Sequence, residues 1–283
     1  MYVVQLRPRQ WTKNLLVFAA LIFSIQKATM DMLMHSVVGF LLFCFVSSCV
    51  YILNDFVDRE ADRQHPEKRH RPMASGAIPA QGALMLGAVL LTGSLATAYV
   101  LSPVFGLLLT VYFVLNVAYS FKLKHVVIVD VLIVASGFVL RAIGGGLVIG
   151  VALTPWFLIC TLLLSIFLAI SKRRHEVYAL QHDSGSHRKV LESYSIDLLN
   201  QLNSIVTTAT IMSYALFTFT SGHTVHLMWT LAFVIYGVFR YLYLIHMEDK
   251  GGKPEKVLFE DRHLLVTVML YAFSVALILI YLE

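Results

Sequence analysis

Charge is scarce in this sequence. Asp, Glu, Lys and Arg make up 14% of its 283 residues, where soluble domains carry roughly a quarter. Hydrophobic residues reach 58% and the mean hydropathy is +0.74. That shortage excludes an ordinary soluble domain and points to a polytopic membrane protein. Cysteine is also scarce: Cys44, Cys49 and Cys160 all fall inside apolar stretches, which excludes a disulfide framework and offers no metal-site spacing. No small-residue cleavage pattern follows the basic start from Arg7 to Lys13, so a removable signal peptide is not expected. The length leaves no room for a second soluble domain, and residues 1–283 are expected to form a single transmembrane domain.

Crossing about 30 Å of hydrocarbon takes roughly 20 apolar residues. Nine such runs stand at about 12–28, 33–54, 81–101, 103–119, 126–148, 154–171, 197–220, 225–245 and 263–281. The expected fold class is therefore an all-α integral membrane protein with nine transmembrane helices. Leu101-Ser102-Pro103 and Gly150 to Pro155 read as tight turns on one side, while 55–80, 172–196 and 246–262 are long and polar on the other. Nearly all of the 22 Lys and Arg lie with the N-terminus and with 55–80, 120–125, 172–196 and 246–262. Lys27 is placed in an outer loop and Arg141 within a span. Positive residues stay cytoplasmic, so the N-terminus and the long loops are expected in the cytosol and the C-terminus outside. Topology alone accounts for many of these cations.

Asn54, Asp55, Asp58 and Asp62 follow at spacings of one, three and four residues. If the second span continues as a helix, Asp55, Asp58 and Asp62 share one face. Carboxylates on one stripe repel unless a cation sits between them. Magnesium takes oxygen ligands and bridges one or two carboxylates to substrate phosphates. The same spacing also suits a solvated helix end with Arg59 and Arg63 as partners. Just beyond lies His65-Pro66-Glu67-Lys68-Arg69-His70-Arg71-Pro72, and carboxylates for a metal beside cations for phosphate oxygens suit a diphosphate.

Asn54-Asp55-x-x-Asp58-x-x-x-Asp62, followed by Arg69-x-Arg71-Pro72 and Ser75-Gly76, resembles the first signature of the UbiA superfamily of intramembrane prenyltransferases. The nine-span organisation is similar along the whole chain. Tyr119-Ser120-x-Lys122-Leu123-Lys124 is similar to a second feature, in which a lysine contacts a substrate phosphate. The resemblance implies a UbiA-like bundle in the inner membrane with cytoplasmic active-site loops. It also implies Asp55, Asp58 and Asp62 as ligands of Mg2+, with Asn54 beside them in the catalytic set. Arg69, Arg71, Tyr119, Lys122 and Lys124 are then substrate-binding.

A second aspartate-rich motif, usual in that superfamily after the sixth span, is missing. Ser171-Lys172-Arg173-Arg174-His175-Glu176 stands in its place, which suits either a second anionic group or a positive-inside anchor. This stretch, Leu6-Arg7-Pro8-Arg9-Gln10-Trp11-Thr12-Lys13-Asn14, Arg188-Lys189-Val190-Leu191-x-x-Tyr194 and Pro254-Glu255-x-Val257-Leu258-x-x-Asp261-Arg262 resemble the decaprenyl-phosphate phosphoribosyltransferases. Those enzymes move 5-phosphoribose from phosphoribosyl diphosphate (PRPP) to a polyprenyl phosphate and release diphosphate. The chemistry suits the residues: a metal-held leaving diphosphate, a basic patch for the 5-phosphate, and an acceptor already ionised at pH 7, so no general base is needed. No acidic pair with a Thr-Gly phosphate loop is present, so the PRPP expectation rests on the resemblance and on cation placement. The alternative is a prenyltransferase joining a prenyl diphosphate to an aromatic or other small acceptor. No nucleic-acid partner is expected, and a homo-oligomer stays open.

Further residues carry two readings each. Asp130 and Arg141 lie eleven positions apart, three turns along one helix face, and intramembrane charges usually face a cavity. Asp130 is a substrate-site candidate or the partner of a nearby lysine; Arg141 touches a lipid phosphate or steadies the bundle. Gly144-Gly145-Gly146 permits close packing or a break. Lys13, with Arg7 and Arg9, is a candidate for the polyprenyl phosphate. Lys172, Arg173, Arg174 and Arg188 are candidates for a phosphate. Asp261 and Arg262 form an ion pair or contact substrate.

Overall fold

Backbone groups facing lipid have no water to bond, so apolar runs must satisfy their own N–H and C=O groups as helices. The computed structural model describes residues 1–64, 68–182, 189–248, 250–252 and 254–282, and among these there is no strand. Arg188, His65, Pro66 and Glu67 lie outside the described residues, as do the side chains of Lys189, Pro254 and Glu255. The chain begins with α1 (Tyr2–Gln5), a 3-10 helix (Pro8–Phe18) and α2 (Ala19–Phe23). There follow α3 (Met30–Val57), α4 (Arg59–Gln64), α5 (Ala80–Leu101), α6 (Pro103–Phe121), α7 (Val129–Ile149) and α8 (Pro155–His182). The order ends with α9 (Ile196–Thr220), α10 (Leu231–Met247), α11 (Pro254–Glu260) and α12 (Arg262–Tyr281).

Eight helices among the described residues are long and apolar enough to cross a membrane. They match the expected runs from the second to the ninth within a few residues, apart from one extension. The first run, 12–28, is not a single α-helix: it is the end of the 11-residue 3-10 helix, then α2, then a short 3-10 turn at Ile25–Lys27. Thr12, Lys13 and Asn14 make its start too polar for a regular lipid-facing helix. The run at 154–171 extends to His182, so the cationic stretch after Ser171 lies on a helix and not in a loop. No Gly or Pro interrupts residues 156–182. α3 does not continue through Asp62 but ends at Val57, with Asp58 at φ −89° and ψ 6° before α4 resumes.

Two compact units divide the chain. The first comprises Met1–Ser24, Ala28–Lys124 and Gly137–Ala152. Within it α3 is central: 61% of its most apolar window is buried, against 17% for α5, whose remaining apolar surface matches lipid. Phe43, Leu42, Val46, Phe105, Leu109 and Tyr112 form its core with Val17. Lipid is as apolar as these side chains, so close packing holds them rather than transfer from water. Gly145 shows how tight that packing is, since a Cβ there would lie 2.0 Å from the Val17 carbonyl oxygen. The expected close approach at Gly144-Gly145-Gly146 is thus that of the 3-10 helix to α7.

The second unit comprises Ile25–Lys27, His125–Ser136 and Leu153–Glu283, so α7 contributes to both. Its core has two clusters. Val131, Ile170, Val177, Val190, Leu191, Tyr194 and Leu199 form one. Phe167, Val238, Tyr241, Leu244, Ile245, Val257 and Leu264 form the other.

Candidate active site

The polar end of α3 carries the acidic cluster in the first unit. Asp55 and Asp62 are each only 2% exposed, which excludes the reading of a solvated helix end. Buried carboxylates need partners, and each has them. Asp55 Oδ2 accepts from Gln5 Nε2 at 2.7 Å, while Oδ1 accepts from Arg71 Nη1 at 3.0 Å and from Arg7 Nη2. The same Arg71 Nη1 donates to Asp62 Oδ2 at 2.5 Å. Asp58, at the junction of α3 and α4, accepts from Lys124 Nζ at 3.0 and 3.2 Å. Lys124 is itself buried. Three carboxylates are thus matched by three cations.

The backbone that delivers Arg7 is held at φ +53°, a left-handed conformation unusual for a residue with a Cβ. Ser48 Oγ donates to the Leu6 carbonyl at 2.8 Å and accepts from Trp11 Nε1 at 3.1 Å, fixing that turn on α3. The Arg7 guanidinium lies 5.1 Å from the Tyr51 ring centroid. Burial lowers its pKa, with Asp55 opposing; arginine nonetheless stays charged at neutral pH.

The donor chemistry fits a hard divalent cation. Asp55, Asp58 and Asp62 supply carboxylate oxygens, and Gln5 Oε1 is a buried amide oxygen with no hydrogen-bond partner. Among the described residues, however, no group of three or more His, Cys, Asp or Glu side chains converges as a ligand set. Binding a cation here therefore requires the carboxylates to turn toward one another, and the N–H groups of Arg7, Arg71 and Lys124 beside them suit phosphate oxygens.

Other expected residues of the first unit are spread more widely. Asn54 is half-buried on the last turn of α3, and Lys13 is half-buried in the 3-10 helix. Arg69 is exposed, its Nε bonding His70 Nε2 at 3.3 Å. Tyr119 is half-buried near the end of α6, and Lys122 is exposed at its cap. Arg141 is buried among neutral groups: Nε donates to Asn14 Oδ1, Nη1 to the Gly137 carbonyl and Nη2 to Tyr112 Oη, each at 2.7 Å. It steadies packed helices and shares no bond with the acidic cluster.

In the second unit Asp130 is fully buried. Its partner is not a lysine: Oδ2 accepts from Arg173 Nε at 2.7 Å and Oδ1 from Tyr194 Oη at 2.8 Å. Tyr194 Oη also accepts from the N–H of Ile128, a β-branched residue at φ +68°. Burial pushes the Tyr194 phenol up to about 12, so it remains a donor. Arg173 pairs further with Glu176, and Lys172 Nζ lies 3.9 Å from Glu176 Oε1. Arg174 is held instead by neutral acceptors, Asn200 Oδ1 at 2.8 Å and the Ile245 carbonyl at 2.9 Å. Asp261 pairs with Arg240 rather than Arg262, at 2.7 Å, and caps α12 by accepting from Leu264 N at 2.8 Å.

Sequence reasoning missed Gln5 altogether and placed Arg7 only near a lipid phosphate; neither Arg240 nor Tyr194 was given a role. Gln5 and Arg7 are 50 and 48 positions from Asp55, and no local spacing signals such a pair.

Eight apolar helices and a buried, cation-matched acidic cluster define a multi-pass membrane protein built around polar chemistry. The chain belongs to the UbiA prenyltransferase family, whose model matches residues 15–260. It is 34% identical to the decaprenyl-phosphate phosphoribosyltransferase of Corynebacterium glutamicum, over 96% of this chain and 84% of that protein. It is 33% identical to the enzyme of that name from Mycobacterium tuberculosis, over 92% of this chain and 88% of the other. The fold is that of a UbiA homologue from Archaeoglobus fulgidus, solved bound to GPP and Mg2+, with TM-score 0.74 at 21% identity. That likeness covers 97% of this chain and 99% of the homologue.

Proposed function

We propose that the chain is a magnesium-dependent pentosyltransferase. It transfers 5-phosphoribose from PRPP to a polyprenyl phosphate of the decaprenyl type and releases diphosphate. The product, a polyprenyl-phosphoryl-5-phosphoribose, then feeds arabinan precursors of the cell wall. The observation that carries this reading is the uneven chemistry of the chain: a single acidic cluster at α3–α4, and Lys172, Arg173 and Arg174 where a second one is usual. The names of the relatives support it.

Asp55, Asp58 and Asp62, with Asn54 beside them, would hold the magnesium, which stabilises charge on the departing diphosphate. Arg7, Arg71 and Lys124 transfer their hydrogen bonds from carboxylate to phosphate oxygens, aided by Arg69, Tyr119 and Lys122. Lys172, Arg173, Arg174 and Arg188 take a further phosphate, with Asp130 and Tyr194 orienting Arg173. Lys13 takes the headgroup of the acceptor. The acceptor phosphate is already an anion, so positioning and electrostatics suffice and no side chain removes a proton.

The run at 12–28, made of the end of the 3-10 helix, α2 and the turn Ile25–Lys27, serves as a ninth crossing in this reading. Residues 1–283 then form one UbiA-like domain in the inner membrane, with the N-terminus cytoplasmic and the C-terminus outside. The distribution of Lys and Arg supports this orientation.

A second reading, transfer of a prenyl group from its diphosphate to a small acceptor, is favoured by the GPP-bound fold neighbour. Purified protein, offered labelled PRPP with decaprenyl phosphate or labelled prenyl diphosphate with an aromatic acceptor, separates the two. The proposal expects a new labelled lipid from the first pair alone. Product from the second pair alone would overturn it.

A further inference from the structure

Gln5 is 1% exposed and its two amide atoms are unequally used. Nε2 donates to Asp55 at 2.7 Å, and Oε1 has no partner. Reversing the amide would set its oxygen against a carboxylate oxygen, so this orientation is the one electrostatics selects. A buried acceptor left unpaired costs on the order of 1–3 kcal/mol, and such groups in native proteins usually answer an ion or an ordered water. The Nε2–Asp55 bond fixes the amide at the edge of the acidic cluster, and the Leu6–Ser48–Trp11 bonds hold the turn that follows in place.

We propose that Gln5 is an oxygen donor of the acidic site, its Oε1 accepting a hydrogen bond from a water on the bound divalent cation. This rests on the reading of Asp55, Asp58 and Asp62 as a cation site. Magnesium keeps several of its waters, and the unpaired Oε1 belongs to the same amide whose Nε2 bonds the liganding carboxylate, which keeps it close enough to receive one. The Nε2–H holds Asp55 at the same time. Gln5 thus couples the N-terminal segment to the cation, although nothing in the spacing of the Asp motif includes it.

The test is Mn2+ binding to the full chain in lipid nanodiscs, followed by loss of the free-ion paramagnetic resonance signal. Gln5→Met removes both amide functions and is expected to weaken binding about tenfold, the lower end for loss of an outer-shell partner. Gln5→Glu keeps an oxygen toward the cation but gives up the N–H toward Asp55, and is expected to bind at least as tightly as wild type. Were Gln5 only a clamp on Asp55, both variants would weaken alike. That result, or an unchanged Gln5→Met, overturns the proposal, and Gln5→Glu decides it alone where Gln5→Met fails to fold. Asp58→Ala is expected to abolish binding. If it binds as wild type does, or if wild type takes up no Mn2+, the cation site itself falls and the role of Gln5 with it.

Discussion

Arg71 is the residue on which two buried carboxylates depend, since one nitrogen answers both Asp55 and Asp62. Asp55 keeps Gln5 and Arg7 when Arg71 is removed, so the loss falls mainly on Asp62. Breaking a buried ion pair from one side costs about 3–5 kcal/mol. Arg71→Ala is therefore expected to unfold at clearly lower temperature in detergent, and an unchanged midpoint would show that Asp62 is not desolvated. Asp261 gives a prediction with a pH signature. The bond from Arg240 holds its carboxyl below the ordinary value. A lowered folded-state pKa means that the stabilisation is complete above the ordinary carboxylate range and disappears as pH falls through the lowered value. Asp261→Asn keeps the helix cap, since an Asn oxygen accepts from Leu264 N equally well, but loses the charge that pairs with Arg240. It should thus be less stable than wild type at neutral pH and converge with it in acid. A gap that widens on acidification would contradict the assignment.

Among the elements, the 3-10 helix is the one that side chains rather than lipid define. Asn14, Trp11 and the backbone contact at Gly145 hold it. Gly145→Ala forces a methyl group onto the Val17 carbonyl, and overpacking of this kind costs typically 1–3 kcal/mol. Thermal unfolding should fall accordingly, whereas Gly93→Ala, which meets nothing within 4 Å, should not lower it. The contrast also explains which parts were legible in the sequence. Eight helices were, because lipid enforces a helix wherever about 20 apolar residues run together. The nearness of Asp55 and Asp62, which share Arg71, was legible because they lie within eight positions on one segment, whereas Asp58 goes to Lys124 instead. The pairing of Lys124 with Asp58 was not legible, the two being 66 positions apart; the family resemblance marked Lys124 only as a phosphate contact. Gln5, Arg240 and Tyr194 were not, because pairing across helices leaves no periodic trace. The break at Asp58 was missed for a different reason: Asp62 N still bonds the Asp58 carbonyl at 2.8 Å, so spacing cannot tell a kinked helix end from a continuous one.

At the scale of the molecule, the UbiA fold fixes little about which bond is broken, since one architecture hosts different donors and acceptors. The departure from two acidic motifs to one is what gives this chain its proposed donor. PRPP carrying one label in the ribose and another in the diphosphate tests that claim directly. Incubated with the purified protein, Mg2+ and decaprenyl phosphate, it should send the ribose label into the lipid phase and leave the diphosphate label in water. Both movements should stop when the cation is chelated. Ribose label that stays in water, or both labels entering the lipid together, would contradict the account.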